Sequence, residues 1–283
     1  MPINLRPDEP LLFLHIPRTG GASILSLLSQ RFVVSDAPAV NPGDALRVVC
    51  AYDTPYGPYS DLYAQLRRYP PMLTVVRDPL ERVYSLYQAA RSTNRIPPTM
   101  SLLEFVRDPQ NAHAINNRQT RLLAGTPRAA APLPDATLLT LAKETLEQCV
   151  WVGVTDWLEV SMHILADNFK LNLPENLPRL NVSTVPFNDQ TLTAAERDAI
   201  QSANTLDAAL VQYAKDLVMT RLTALTKHYI AHNAEQQAQI ERLSAYVAHL
   251  EQVMRAPLKL WSGRVIRSVQ RRLGQQKNDK QPI

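Results

Sequence analysis

A chain of 283 residues with 45% hydrophobic and 20% charged side chains has an ordinary globular composition, enough for one large domain with an appendage, and excludes wholesale disorder. With only 8 glycines against 22 prolines, collagen-like and glycine–serine linker architectures are excluded, and two cysteines, Cys50 and Cys149, are too few for a disulfide scaffold or a four-cysteine zinc site. The net charge of +4 belongs to the end of the chain: from Arg255 to Ile283 eight basic residues face one acidic residue, Asp279, so that stretch carries +7 and the rest −3, which excludes a basic nucleic-acid-binding globule.

The elements follow in chain order. The opening, MPINLRPDEP, lacks a basic-then-apolar leader pattern, and no apolar run reaches the roughly 18 residues that span a bilayer, so the expectation is a cytoplasmic protein with reduced thiols. Leu11–Ile16 is a short apolar run suited to a strand buried on both faces. Pro17–Gly21 breaks it, after which Ile24, Leu27, Leu28 and Phe32 recur at helical spacing. Arg47–Ala51, Met72–Val76 and Val150–Val154 are three more β-prone runs. A helix is expected after Arg77, with Asp78 as N-cap and Pro79 at its first position. Ser101 with Glu104, and Thr193 with Glu196, have the spacing of capping boxes. Strands alternating with helices predict an α/β chain: a P-loop-like three-layer fold around a central parallel sheet, followed by a helical C-terminal extension.

The later part reads as mostly helical. Leu206, Leu210, Tyr213 and Leu217 form one stripe. Ile240, Leu243, Val247, Leu250 and Met254 step by three and four, a seam of about two heptads that suits either a long helix packed on its own domain or a dimerising coiled coil. In the basic tail Leu258, Trp261, Val265, Val269 and Leu273 share one helical face, with Arg264, Arg267 and Arg271 opposite. That pattern suits an amphipathic helix on an anionic membrane surface, or one docked on the acidic body of the same chain. The expected organisation is a domain over 1–225, a helical extension over 226–255 and a basic amphipathic tail over 256–283.

Two stretches carry the chemistry. In Leu12–Leu28 a buried strand runs through Pro17-Arg18-Thr19-Gly20-Gly21-Ala22-Ser23 into a helix. The N–H groups of a helix start point at whatever lies in front of it, adjacent glycines let backbone approach an anion, Arg18 adds charge, and Thr19 and Ser23 add hydroxyls. The nucleotide-binding pattern G-x-x-x-x-G-K-[ST] is absent, as is G-x-G-x-x-G. In Thr74–Tyr87 (TVVRDPLERVYSLY) Arg77 follows a strand, at the sheet edge where open α/β folds bind ligands. Ser85 stands seven residues, about two turns, beyond Asp78, so the spacing predicts that Arg77 and Ser85 converge on one anion.

The run His15–Ser23 (HIPRTGGAS) resembles the 5′-phosphosulfate loop of carbohydrate sulfotransferases of the heparan sulfate 2-O-sulfotransferase-like kind, in the manner of a soluble bacterial-type member. Arg77-Asp78-Pro79 with Glu81, Arg82, Ser85 and Tyr87 resembles the 3′-phosphate motif of that family. Weaker echoes follow in Asn117–Arg121 with Gly125, in Val152-Gly153 with Thr155 and Leu158, and in Leu180–Ser183, so the resemblance spans roughly residues 10–225. It implies transfer of a sulfuryl group from 3′-phosphoadenosine-5′-phosphosulfate (PAPS) to a hydroxyl of a carbohydrate or glycolipid. The donor would be held by Arg18, Thr19, Gly20, Gly21, Ala22 and Ser23 at one end and by Arg77 and Ser85 at the other. Arg18 would stabilise charge on the leaving oxygen, and Asn117, Arg118 and Arg121 would meet the acceptor. No metal is implied, and no nucleic-acid partner. Many relatives place a histidine general base in a G-H-x-P-x-G pattern; here Tyr52–Gly57 puts Asp53 in that place, with His15 and His113 as other candidates. The departure at Asp53 keeps open a non-catalytic binding protein of the same fold, and a P-loop-type small-molecule kinase is a further alternative. The tail and the seam suggest peripheral attachment at the cytoplasmic face of a membrane and a homodimer.

Overall fold

In the computed structural model the described residues are 10–35, 47–51, 70–125, 133–173, 187–188, 190, 192–232 and 237–255. They fall into two compact units, Met1–Leu225 and Thr226–Ile283.

The first unit is built on a five-stranded parallel sheet: β1 (Leu11–Leu14), β2 (Val33–Ser35), β3 (Arg47–Ala51), β4 (Met72–Val76) and β5 (Cys149–Val154), in the spatial order β2-β3-β1-β4-β5. Every residue of β1 and β4 is buried, as continuous apolar runs in the middle of a parallel sheet require. Their registers place Leu14 beside Thr74, and the Thr74 hydroxyl donates to the Leu14 carbonyl at 2.9 Å. After β1 the chain travels to the β2 edge and returns through β3; it then crosses to the other side of β1 as β4. The order therefore reverses between β1 and β4, and a crevice opens beyond their C-terminal ends.

The helices are α1 (Gly21–Leu28), α2 (Pro79–Ser92), α3 (Leu102–Arg107), α4 (Ala112–Ile115), α5 (Arg118–Leu123), α6 (Asp135–Gln148), α7 (Leu158–Phe169), α8 (Ala194–Ala203) and α9 (Thr205–His232), the last running past the end of the first unit. Asp78 caps α2 by accepting from the Glu81 N–H at 3.2 Å, with Pro79 at the first helical position. Both capping boxes form: Ser101 with Glu104 opens α3, and Thr193 with Glu196 opens α8. Val83 and Tyr87 of α2, Leu102 and Phe105 of α3 and Ile200 of α8 belong to one hydrophobic cluster. Arg82 of α2 is fully buried, and its guanidinium donates to the Ala114 and Ile115 carbonyls at 2.9–3.2 Å. Burial pushes it down to about 10, so it remains a cation at neutral pH.

Three readings of the sequence shift. Helix α1 ends at Leu28, and Phe32 instead packs edge-on against Phe169, with ring centroids 5.7 Å apart. The buried face of α9 runs through Asp207, Leu210, Val211, Ala214, Val218 and Leu222, leaving Leu206, Tyr213 and Leu217 only half-buried. A small alanine and a buried aspartate lie on that face, which a reading of large apolar residues misses. In the second unit α10 (Gln237–Arg255) buries Leu243, Tyr246 and Leu250 and exposes Met254, so the covered line passes through Tyr246 rather than Val247. The tail over 256–283 lies outside the described residues. Among the described residues no helix is long and apolar enough to cross a membrane.

Candidate active site

The loop after β1 has an unusual backbone. Arg18 has φ +73° and Gly20 φ +90°, both left-handed. For arginine this conformation costs about 1–2 kcal/mol, and the surrounding contacts hold it there. A Cβ on Gly20 would meet nothing within 4 Å, so glycine is needed there for its dihedral and not for space. Gly21 is needed for the opposite reason: a Cβ there would stand 2.6 Å from His15 Nε2 and 3.1 Å from Phe13 Cε1. The start of α1 thus rests on the His15 ring, which stacks on Phe13 with centroids 5.6 Å apart. Thr19 is completely buried, and its hydroxyl donates to the Ile16 carbonyl at 2.8 Å. The hydroxyl expected to face an anion instead shapes the loop. Ser23 is also buried, in the first turn of α1. The Ser23 N–H is taken by the Gly20 carbonyl at 3.0 Å, which leaves the half-buried Arg18 side chain and the N–H groups of Gly21 and Ala22 as the loop's donors toward the crevice.

The end of β4 meets this loop. Arg77 Nη1 donates to the Arg18 carbonyl at 3.1 Å, while Arg77 Nε and Nη2 donate to Glu81 Oε2 at 3.1 and 3.0 Å. Ser85, on the inner face of α2, accepts from Arg18 Nε and Nη2 at 3.1 and 3.0 Å. Ser85 therefore meets the first arginine through its side chain, and Arg77 meets the backbone of that same residue. Arg18 thus joins the two motifs, lying 59 residues from Arg77 and 67 from Ser85 in the chain. Thr155, just after β5, closes the frame: its hydroxyl lies 2.7 Å from the Thr19 carbonyl and 3.1 Å from the Val76 carbonyl.

The electrostatics are those of a crowded cationic centre held by acids. Burial first, and Arg77 second, lower the Arg18 guanidinium below its ordinary value. Asp78 and Glu81 are raised, mainly by burial and then by Asp156, whose other neighbour is Lys215 at 2.8 Å. Among the described residues no group of three histidine, cysteine or carboxylate side chains could hold a metal. Cys149 is buried, and burial pushes its thiol up to about 12, so it is inert at neutral pH.

The third cluster lies around His113. Arg118 Nη1 stands 2.8 Å from His113 Nε2 and Arg121 Nη1 3.1 Å from His113 Nδ1, while Arg121 also donates to the His113 and Asn116 carbonyls. Two guanidiniums thus meet the two nitrogens of one imidazole. Asn117, at φ +45°, uses its amide oxygen within the fold, accepting from the Leu206 and Asp207 N–H groups at 2.9 and 3.2 Å. Asp53 lies outside the described residues. Sequence reasoning placed Glu81, Gln119 and Thr155 within family-like stretches but gave them no role, and it missed Asp207, because each acts through another residue.

No family model matches the chain. In an alignment 164 residues long that covers 54% of the chain, it is 29% identical to heparan-sulfate 6-O-sulfotransferase 2 of Gallus gallus. The match spans 39% of that protein, so less than half of the relative is represented. The likeness supports a sulfotransferase; it does not support the 2-O member or the bacterial type to which the motifs were compared.

Proposed function

We propose that the chain is a sulfotransferase that takes its sulfuryl group from PAPS. The observation that carries this reading is the meeting of both anion motifs on Arg18: Ser85 on its side chain and Arg77 on its carbonyl. A donor with anionic groups at both ends needs two cationic points on one crevice, and Arg18 and Arg77 are such a pair at the ends of β1 and β4. The α1 start and Arg18 would face the phosphosulfate, and Arg77 with Ser85 the 3′-phosphate. When the S–O bond breaks, negative charge grows on the phosphate oxygen that leaves, and Arg18 is the group with the charge and reach to stabilise it. In-line transfer then depends on positioning, with no covalent protein intermediate.

The acceptor is a carbohydrate or glycolipid hydroxyl in this reading, which the likeness to a heparan sulfate enzyme favours. Arg118 and Arg121 would face its anionic groups, and Asn117 holds their helix in place. The proton of the acceptor hydroxyl goes to Asp53, with His15 and His113 as the alternatives. Peripheral membrane attachment through 256–283 and pairing through α10 extend the proposal to a lipid-linked acceptor.

The test is transfer of label from [35S]PAPS to a panel of desulfated glycosaminoglycans and glycolipids, alongside binding of adenosine 3′,5′-bisphosphate. Transfer to a carbohydrate is the expected result. Binding without transfer to any acceptor would mark a binding protein, and absence of both would overturn the reading.

A further inference from the structure

We propose that Gln119 is a positioning residue for Arg77, and that Asn117 and Asp207 exist to hold it there. The inference rests on the reading that Arg77 contacts the 3′-phosphate.

Arg77 is the first residue past β4, where the ladder to β5 has ended at the pair Val76–Val154. Its own N–H and C=O have no strand to join. Gln119 supplies both partners: the Arg77 N–H donates to Gln119 Oε1 at 2.9 Å, and Gln119 Nε2 donates to the Arg77 carbonyl at 2.8 Å. A side-chain amide thus takes the place of one strand residue, 42 positions away in the chain. Gln119 is completely buried. The two bonds fix the peptide planes on either side of the Arg77 Cα, and therefore the direction in which its side chain leaves the sheet.

Gln119 is in turn fixed by two helices that cap each other. It sits in the first turn of α5, where the N–H groups have no intrahelical partner. Asp207, in the first turn of α9 and completely buried, accepts from the Gln119 N–H at 3.1 Å, the Thr120 N–H at 2.8 Å and the Thr120 hydroxyl at 2.8 Å. Asn117, at the start of α5, returns the bonds to the Leu206 and Asp207 N–H groups at the start of α9. This has the logic of a capping box spread across two helices, each supplying the side chain that satisfies the other's orphan donors. Neither helix start can shift without breaking bonds at both. The far end of Arg77 is separately held by Glu81 and the Arg18 carbonyl, so the arginine is set at its backbone and at its tip.

A purely structural role would lower stability without changing which ligand is favoured. The readout is therefore the ratio of affinities for adenosine 3′,5′-bisphosphate and adenosine 5′-monophosphate, measured by calorimetry on the full chain. Gln119→Met keeps the length and removes both bonds; Gln119→Glu keeps the acceptor and loses the donor. Gln119→Met should lower the ratio about tenfold or more, the size of one or two lost hydrogen bonds at the arginine, with Gln119→Glu between it and wild type. In an Arg77→Ala background Gln119→Met should leave the ratio within about threefold of Arg77→Ala alone, because two residues that act as one are non-additive. An unchanged ratio in Arg77→Ala overturns the 3′-phosphate reading itself. A lowered ratio in Arg77→Ala with an unchanged one in both Gln119 variants overturns the positioning role alone. Should both Gln119 variants fail to fold, the residue belongs to stability and the inference falls.

Discussion

Gly21 and His15 give the site its sharpest test, because one substitution should change sign with its background. Gly21 is the first residue of α1, and alanine is intrinsically better in a helix than glycine by about 0.5–1 kcal/mol. Its Cβ, however, would sit 2.6 Å from His15 Nε2 and 3.1 Å from Phe13 Cε1, on a ring already stacked against Phe13. Overpacking of that kind costs typically about 1–3 kcal/mol, so Gly21→Ala should destabilise the protein by about 1–2 kcal/mol. With His15→Ala the ring is gone and only the Phe13 edge remains. Gly21→Ala should then be neutral or stabilising by up to about 1 kcal/mol, for a coupling of roughly 2 kcal/mol between residues in contact. Urea denaturation of the wild type, both single variants and the double variant measures it. Gly20→Ala is the internal control: its cost of about 1–2 kcal/mol comes from φ +90° and should persist when His15 is removed. Additive effects of Gly21→Ala and His15→Ala within about 0.5 kcal/mol would refute the claim that α1 rests on His15.

Three further outcomes follow from the same geometry. Asp53→Asn should leave binding of adenosine 3′,5′-bisphosphate intact and lower sulfuryl transfer by about 10²–10⁴; turnover within a few-fold of wild type moves the proton to His15, His113 or another group. Sulfate, which does not titrate near neutrality, should bind several-fold more tightly at about pH 5 than at about pH 7. Asp78 and Glu81 are already raised by burial and Asp156, a bound anion raises them further, and binding therefore takes up protons. Glu81→Gln should flatten that slope in calorimetric titrations, and a slope of the opposite sign would refute the account. For the basic tail, co-sedimentation with phosphatidylserine vesicles should be strong for the full chain and weak for a chain ending at Met254, and it should fade in high salt; equal binding by the two rules the tail out as the anchor.

How much of this was legible from sequence depends on where the information resides. The four strands expected around 11–16, 47–51, 72–76 and 150–154 are present, because apolar runs bounded by breakers are local signals. The Asp78 cap and both capping boxes are local in the same sense. The three-residue strand β2 has exposed Val33 and is too short to read. The buried face of α9 misled because Asp207 is polar, yet it is buried to cap a helix 87 residues away. Thr19 shows the same limit within the motif itself: its place in the loop is legible, but the direction of its hydroxyl, inward to Ile16, is set by the left-handed turns on either side. Arg18 and Ser85 were each singled out, but their contact depends on β1 and β4 lying side by side, and pairing between strands has no sequence spacing.

The arrangement of charge explains why so many neutral contacts surround this site. Arg77 is close enough to disfavour the charge on Arg18, and Arg82 is buried, with Arg118, Arg121 and Arg77 lowering it further. Cations assembled before the ligand arrives repel, and a loosely held cluster would relax by turning its side chains to water. Here the guanidinium of Arg18 is held by Ser85, that of Arg77 by Glu81 and the Arg18 carbonyl, that of Arg82 by two carbonyls and that of Arg121 by His113 and Asn116. Most of these acceptors are neutral oxygens, which orient a guanidinium without neutralising it. Of the carboxylates that do approach, Asp78 and Glu81 are raised by burial and then by Asp156. A fully paired arginine would have to break an ion pair to bind phosphate, at a cost of several kcal/mol for a buried partner. Arg18, oriented by a hydroxyl, would avoid that cost, whereas Arg77 would have to exchange its ion pair with Glu81, whose acid form burial and Asp156 favour.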